Sequence, residues 1–202
     1  MASQVFPTKN NLMATKKSLD LAKLGYDLMD RKRNILVREM MEKLDDVKTL
    51  QSDVVSAYSQ AYSLLRQAHL TMGSCTEYAE CIPPDDGLEI SVYSVMGVEL
   101  PKIKLHESET SFYYGLESTN SLLDEAYIKF NEAKELTVKL AEVQSGVIRL
   151  ADAIKKTQKR TNALSNIMIP KFTATVKFIS DALDEKERED FSRLKVIKKT
   201  KE

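Results

Sequence analysis

Apolar side chains recur every seven residues from Leu12 onward: Leu12, Leu19, Tyr26, Met40, Val47, Val54, Ala61 and Ala68. Three residues on from each runs a second row: Ala22, Met29, Leu36, Leu50, Ala57 and Leu64. Thr15, Arg33 and Lys43 interrupt the two rows. A repeat held over about eight heptads is a coiled-coil pattern. Pro7 lies just upstream, and Thr8, Asn10 and Asn11 can all cap a helix, so the helix is predicted to begin near Thr8 or Asn10. No proline follows until Pro83. A helix from Thr8 to Met72 would be about 95 Å long at 1.5 Å per residue. Arg33 and Lys43 are read either as register devices or as the drift of a straight helix, about 20° per heptad, with drift the plainer account.

Gly73 to Gly87 reads as a connector holding both cysteines, the Pro83-Pro84 pair and a turn. Leu88 to Leu105 carries the one strand signal in the chain. Ile90, Val92, Val95 and Val98 are β-branched among polar neighbours, and Met96-Gly97 supplies a two-residue turn. A lone hairpin is marginal in water, so this one is expected to lean on the helices, with Phe112, Tyr113, Tyr114 and Leu116 as the apolar glue.

After a capping patch at Ser118, Thr119, Asn120 and Ser121, a second heptad series begins. Ala126, Ala133, Leu140, Val147, Ile154, Thr161 and Met168 form one row, and Leu136, Val143, Leu150, Thr157 and Leu164 the other. Pro170 falls inside the pattern and is predicted to kink or interrupt the helix, because it lacks a donor and clashes with the preceding turn. Apolar spacing resumes at Phe172, Val176, Ile179 and Leu183, followed by a charged run in which Phe191, Leu194 and Ile197 are the apolar members. Two heptad helices joined by a short middle segment bury each other's stripe by folding back. The predicted fold is mostly all-α: a long antiparallel two-helix coiled coil with a short β-hairpin and connector in the middle. Its segments are residues 1–72, 73–118 and 119–202. The simplest register sets Leu12 near Ser180, with both chain ends at one tip of a rod and the hairpin at the other.

Composition narrows the function more than the fold. Lys plus Arg and Asp plus Glu are 30 each, so the formal net charge is +0, which argues against nucleic-acid binding. With no Trp, 6 Gly and 5 Pro in 202 residues, the chain suits long helices better than a compact core. No apolar run nears the ~20 residues that cross a bilayer, and the first residues lack the apolar region of a secretory signal. A cytoplasmic location is expected from this and from two cysteines only. No phosphate-binding glycine loop and no zinc-protease motif is present. His69 and His106 stand apart, and Cys75 and Cys81 lack a nearby histidine to complete a zinc set. No catalytic residue, cofactor or metal is therefore predicted. The cysteines read as structural, with a redox-labile pair as the alternative.

Three stretches together resemble the D subunit of the V-type/A-type rotary ATPases, the central rotor stalk. They are FPTKNNLMATKKSLDLAKLGYDLMDRKRNIL at the start, SVMGVELPKI at the hairpin, and IKKTQKRTNALSNIMIPKF continuing into LDEKEREDFSRLKVIKK. The last is the strongest, with Arg160, Asn162, Ala163, Leu164 and the Ile169-Pro170 step. The resemblance covers essentially the whole chain and is weakest from Gly73 to Gly87. It implies a non-catalytic shaft that transmits torque between a catalytic head, a hexamer of A and B subunits, and a membrane ion-translocating rotor. It also implies a small companion (the F subunit), an axle-to-ring adaptor, and a location peripheral to the membrane without insertion into it.

On that resemblance Lys155, Lys156, Lys159 and Arg160, with Lys16, Lys17 and Lys23 on the facing helix at a similar height, are candidate head contacts; the alternative is a solvated face. Phe191 and Leu194, with Ile197, are candidates for bearing against the head, with packing on Val5 and Phe6 nearly as good an account. Pro170 is read as a bend that sets eccentricity, or as a tolerated kink. Val95, Met96, Gly97 and Val98 are candidate contacts for the companion or adaptor, or a simple cap on the coiled coil. The seam residues are Leu12, Leu19, Met29, Leu36, Met40, Val47, Leu50, Leu140, Val143, Val147, Leu150, Ile154 and Leu164. A prefoldin-like holdase is the rival function, since it also sets a hairpin between coiled-coil helices; a structural tether is a second. The charged ends disfavour client capture.

Overall fold

The computed structural model describes residues 6–84, 87–105, 113–115 and 119–201. In chain order these form α1 (Lys9–Met72), α2 (Thr76–Glu80), β1 (Leu88–Val95), β2 (Val98–Leu105) and α3 (Ser121–Ala163). A π turn (Leu164–Met168) and α4 (Ile169–Lys201) complete the series. The chain is mostly helical with a central hairpin, as the heptads predict. It divides into two units. One holds the chain through Ile35 and from Ile154 onward; the other is Leu36–Ala153.

In the terminal unit α1 begins where capping chemistry says it should. The Thr8 hydroxyl accepts from the Asn11 amide at 3.3 Å, and the Thr8 carbonyl takes the Leu12 amide at 2.9 Å. The predicted seam is observed: Leu12, Leu19, Met29 and Ile154 are half-buried, Ala22 is buried, and Ile179 is sealed completely. The helices run antiparallel, with Lys9 beside Glu187 and Arg33 beside Gln158. Those pairs fall within about one helical turn of the register read from the heptads.

Arg33 stays on the seam as the centre of a polar layer. Its guanidinium donates to the Gln158 amide oxygen at 3.0 Å and pairs with Asp30 at 2.6 Å, while Gln158 donates onward to Asn162 at 2.7 Å. One polar layer costs stability relative to an apolar pair; a slipped pairing would part Arg33 from Gln158 but not from Asp30, which lies on the same helix.

Pro170 does not stop the helix; the chain widens just before it. The Ile169 amide donates to the Leu164 carbonyl, five residues back, and α4 continues in regular geometry. A π turn contains one residue more than an α turn needs. The consequence is visible in the seam. Met168, on the predicted row, is 37% exposed, and Ile169 takes the half-buried place instead. Phe172, Val176, Ile179 and Leu183 then follow inward, each one place later than an unbroken heptad would set them. Pro170 itself is exposed.

In the central unit Leu36, Ala61, Ala68, Ala126, Ala133 and Leu150 are sealed from solvent. Met40, Val47, Leu50, Leu140, Val143 and Val147 are half-buried along the same seam. Alanine on both helices lets the backbones approach closely. Lys43 keeps its seam position because Gly146 faces it: a methyl built on Gly146 would stand 3.9 Å from Lys43 Cδ. The lysine stem lies over the glycine, and Lys43 is half-buried. Tyr62 meets Phe130 edge to face at 5.2 Å, and Thr137 donates to the Tyr58 hydroxyl at 3.3 Å.

Gly73, at φ 82°, ends α1 in the left-handed conformation that glycine takes without penalty. Its amide returns to the His69 carbonyl at 3.0 Å, and His69 Nδ1 lies 2.8 Å from the Gly73 carbonyl oxygen. The connector contains one short helix, α2, that periodicity misses because five residues carry no repeat. Ala68, Cys75, Tyr114 and Leu123 form a buried cluster here, with Leu65, Met72, Tyr78 and Leu122 against it. Tyr114 is the buried member of the predicted glue; Tyr113 is half exposed. Phe112 and Leu116, like His106 and the cap candidate Ser118, lie outside the described residues. Asn120 opens α3, its carbonyl accepting from Leu123 at 2.8 Å.

The hairpin pairs without a bulge from Val95↔Val98 to Leu88↔Leu105. Met96 and Gly97 both have positive φ, 51° and 74°. That is the turn that matches strand twist. The β2 strand leans on α3. Leu100 and Pro101 are buried, the Ile103 amide donates to Glu142 at 2.8 Å, and Arg149 donates to the Glu99 carbonyl at 3.1 Å.

Candidate interaction surfaces

Each basic candidate is solvent-exposed: Lys16, Lys17 and Lys23 on α1, Lys155, Lys156, Lys159 and Arg160 on α3. None of them makes an ion pair with a described residue. They do not form one patch. The Arg33–Gln158 contact sets the α3 group level with Arg33. Lys16 and Lys17 lie about 24 Å further along α1, and Lys23 about 15 Å, so the expectation of similar height fails. The basic residues actually level with Lys155–Arg160 are Arg31, Lys32 and Arg33.

The terminal unit carries an uncovered apolar stripe that sequence reasoning missed. Leu21, Leu24 and Leu28 are each more than half exposed, and Ile35 is 37% exposed. Their spacing of three, four and seven repeats the coiled-coil step on the side of α1 away from the seam. The signal was present in the sequence as a second phase of the heptad, masked by the stronger first one. On the other chain segment Ile167 and Phe178 are exposed as well.

From Asp184 to Thr200 every residue of α4 is exposed, including Phe191, Leu194, Val196 and Ile197. Glu187 reaches Lys9 at 3.1 Å, a pair too exposed to add much stability. Phe6 is 74% exposed, so it does not cover Phe191; Val5 lies outside the described residues.

At the hairpin turn Val95 and Val98 are half-buried, leaving Met96 as the side chain presented outward, with Gly97 beside it. Cys75 belongs to the buried cluster and Cys81 is exposed; both are free thiols. Among the described residues no helix is long and apolar enough to cross a membrane. Among them, too, no group of three or more His, Cys, Asp or Glu is placed to hold a metal.

The family pattern for the D subunit of ATP synthase matches residues 11–199, nearly the entire described chain. The chain belongs to the ATP synthase D-subunit family. The D subunit of the V-type ATP synthase of Thermotoga neapolitana is 44% identical over 196 residues, spanning 96% of this chain and 97% of that protein. The D subunit of the A-type ATP synthase of Pyrococcus abyssi is 36% identical over 200 residues, and that of Thermococcus gammatolerans 38% over 201, each spanning 96% of this chain. As a member of the D-subunit family the chain is a V-type/A-type ATP synthase component and belongs to such a complex. On this D-family chain the exposed features just described form two sets, one in the terminal unit and one at the hairpin.

Proposed function

We propose that this chain is the non-catalytic central-stalk subunit of its complex, carrying torque between the catalytic head and the membrane ion-translocating rotor. The observation that carries the reading is the contrast within the terminal unit. Its seam is closed, with Arg33 bonded across it to Gln158, while its outside presents exposed apolar side chains and lysines that pair with no described residue. An antiparallel pair with a fixed register resists slippage when twisted. Short apolar and basic contacts on its outside can be exchanged stepwise as it turns, because no single one buries a large area. The head of A and B subunits is the partner for this surface, with Lys155, Lys156, Lys159, Arg160, Lys16, Lys17, Lys23, Phe191 and Leu194 among the contacts and the Leu21/Leu24/Leu28 stripe beside them. Facing three catalytic interfaces differently, the shaft contributes the differential contacts that separate their conformations. The hairpin, through Val95–Val98, is the side for the small F companion and the adaptor. The chain is peripheral to the membrane.

A tagged copy expressed at native level tests this directly. It brings down nucleotide-binding subunits and a small companion if the reading holds; recovery of neither ends it. Pro170→Ala adds a mechanical test. It is expected to lower ATP-driven pumping more than it lowers stability, and normal assembly with unchanged pumping would remove Pro170 from the mechanism.

A further inference from the structure

The two edges of the hairpin are finished differently. In an antiparallel pair closed by Val95↔Val98, alternate residues point their backbone groups away from the partner strand. On β2 these are Glu99, Pro101, Ile103 and Leu105. The Glu99 carbonyl accepts from Arg149, Pro101 has no donor to satisfy, and the Ile103 amide donates to Glu142. At Glu99 and Ile103 that edge is held against α3.

On β1 the outward residues are Leu88, Ile90, Val92 and Ser94. The sheet has two strands, and among the described residues nothing pairs with the outer side of β1. The side chains on the same positions are apolar and open to solvent: Leu88 45%, Ile90 62% and Val92 58% exposed. The usual guards of a free edge are a lysine, a proline or a bulge. The sequence LEISVYSV contains no lysine and no proline, its one charge, Glu89, falls on a position whose backbone faces β2, and its register runs unbroken over all eight pairs.

We propose that β1 accepts an extended strand from another member of the ATP synthase complex, joining the hairpin as a third strand beside Leu88–Ser94. The contact is mainly backbone to backbone, with alternate apolar side chains of the incoming strand against Ile90 and Val92. It rests on the reading of the hairpin as a partner side and moves that contact from the turn to the strand edge. A second copy of this chain fits less well. Pairing β1 with its own copy about Ser91 sets both Leu88/Ile90/Val92 faces on the same side of the enlarged sheet, doubling the exposed apolar face instead of covering it. A partner that brings an edge strand backed by its own apolar layer covers both.

The test compares the free chain with the complex purified through it, reading amide exchange residue by residue. The outward amides of Ile90, Val92 and Ser94 are expected to exchange about 100-fold more slowly in the complex, with smaller changes at Ser91 and Tyr93, whose amides already face β2. A second arm uses Val92→Pro, which removes one outward donor directly across from Pro101, beside Val92→Thr, which keeps it. Val92→Pro is expected to weaken association with the complex at least about tenfold, and Val92→Thr little. Equal exchange in both states, or association unaffected by Val92→Pro, overturns the proposal while leaving the stalk reading intact. A free chain that dimerises through this edge, and loses the dimer with Val92→Pro, overturns it in favour of self-pairing. Recovery of no other component of the complex overturns both.

Discussion

Tyr114 concentrates the chemistry of the connector at one atom. Its hydroxyl donates to Asp124 at 2.8 Å inside the Tyr78/Tyr127 cluster. Burial, and then the carboxylate it donates to, push its pKa well above the ordinary tyrosine value. The folded state therefore holds this proton more tightly than the unfolded chain does. The resulting stability is full below about pH 10 and is lost as pH rises beyond it. Tyr114→Phe should cost about 1–2 kcal/mol at pH 8 and flatten the fall in melting temperature between about pH 9.5 and 11. Thermal melts of both proteins across that range check it. Met96 makes the opposite case, a residue that local rules disfavour. A methionine at positive φ costs about 1 kcal/mol, which asparagine or glycine would largely avoid. Met96→Asn should raise hairpin stability by roughly 0.5–1 kcal/mol. If Met96 is held there for a partner, association with the complex falls in the same variant.

At the scale of elements the π turn is the informative piece. It carries one surplus residue, and Pro170 sits two places beyond it. Deleting Ile167, which is exposed, together with Pro170→Ala restores an unbroken three-four seam and keeps Ile179 inward. That double change should alter stability by no more than about 1 kcal/mol. Deleting exposed Ala151 instead turns everything after it by about 100° and strips Ile179 and its neighbours of cover, at a cost of about 3 kcal/mol or more. Denaturant melts of the two variants separate a relocated register from a damaged one. The sequence marks this site with a proline but cannot say how the chain absorbs it. A kink, a break and a widened turn are all compatible with the same apolar spacing.

For the molecule as a whole, membership of an ATP synthase complex sets what a mutation should be judged by. Lys155→Glu with Lys159→Glu changes exposed side chains that pair with no described residue, so stability should shift by less than about 0.5 kcal/mol. If these lysines face the head, ATP-driven pumping by the reconstituted complex falls at least about threefold, and added salt narrows the gap from wild type. Equal pumping at every salt concentration would assign the pair to a plain solvated face.

The sequence by itself determined the helices, their seam and the hairpin. Heptads from Leu12 to Ala68 and from Ala126 to Leu164, Pro7 and Gly73 at the ends of α1, and Met96-Gly97 between two β-branched runs are all local patterns, and local patterns survive without tertiary information. Three separated stretches sufficed for the family. Tertiary structure decided the rest, for a common reason: each outcome depends on what stands opposite. Arg33 and Lys43 read as flaws in the seam until Gln158 and Gly146 are seen across from them. Lys16, Lys17 and Lys23 read as companions of Lys155–Arg160 until the antiparallel register separates them. Leu21, Leu24 and Leu28 are ordinary helix residues until the seam turns them outward. Pro101 and two lysines already set β2 apart from β1 in sequence, but only docking on α3 shows which edge the helix takes and which it leaves open.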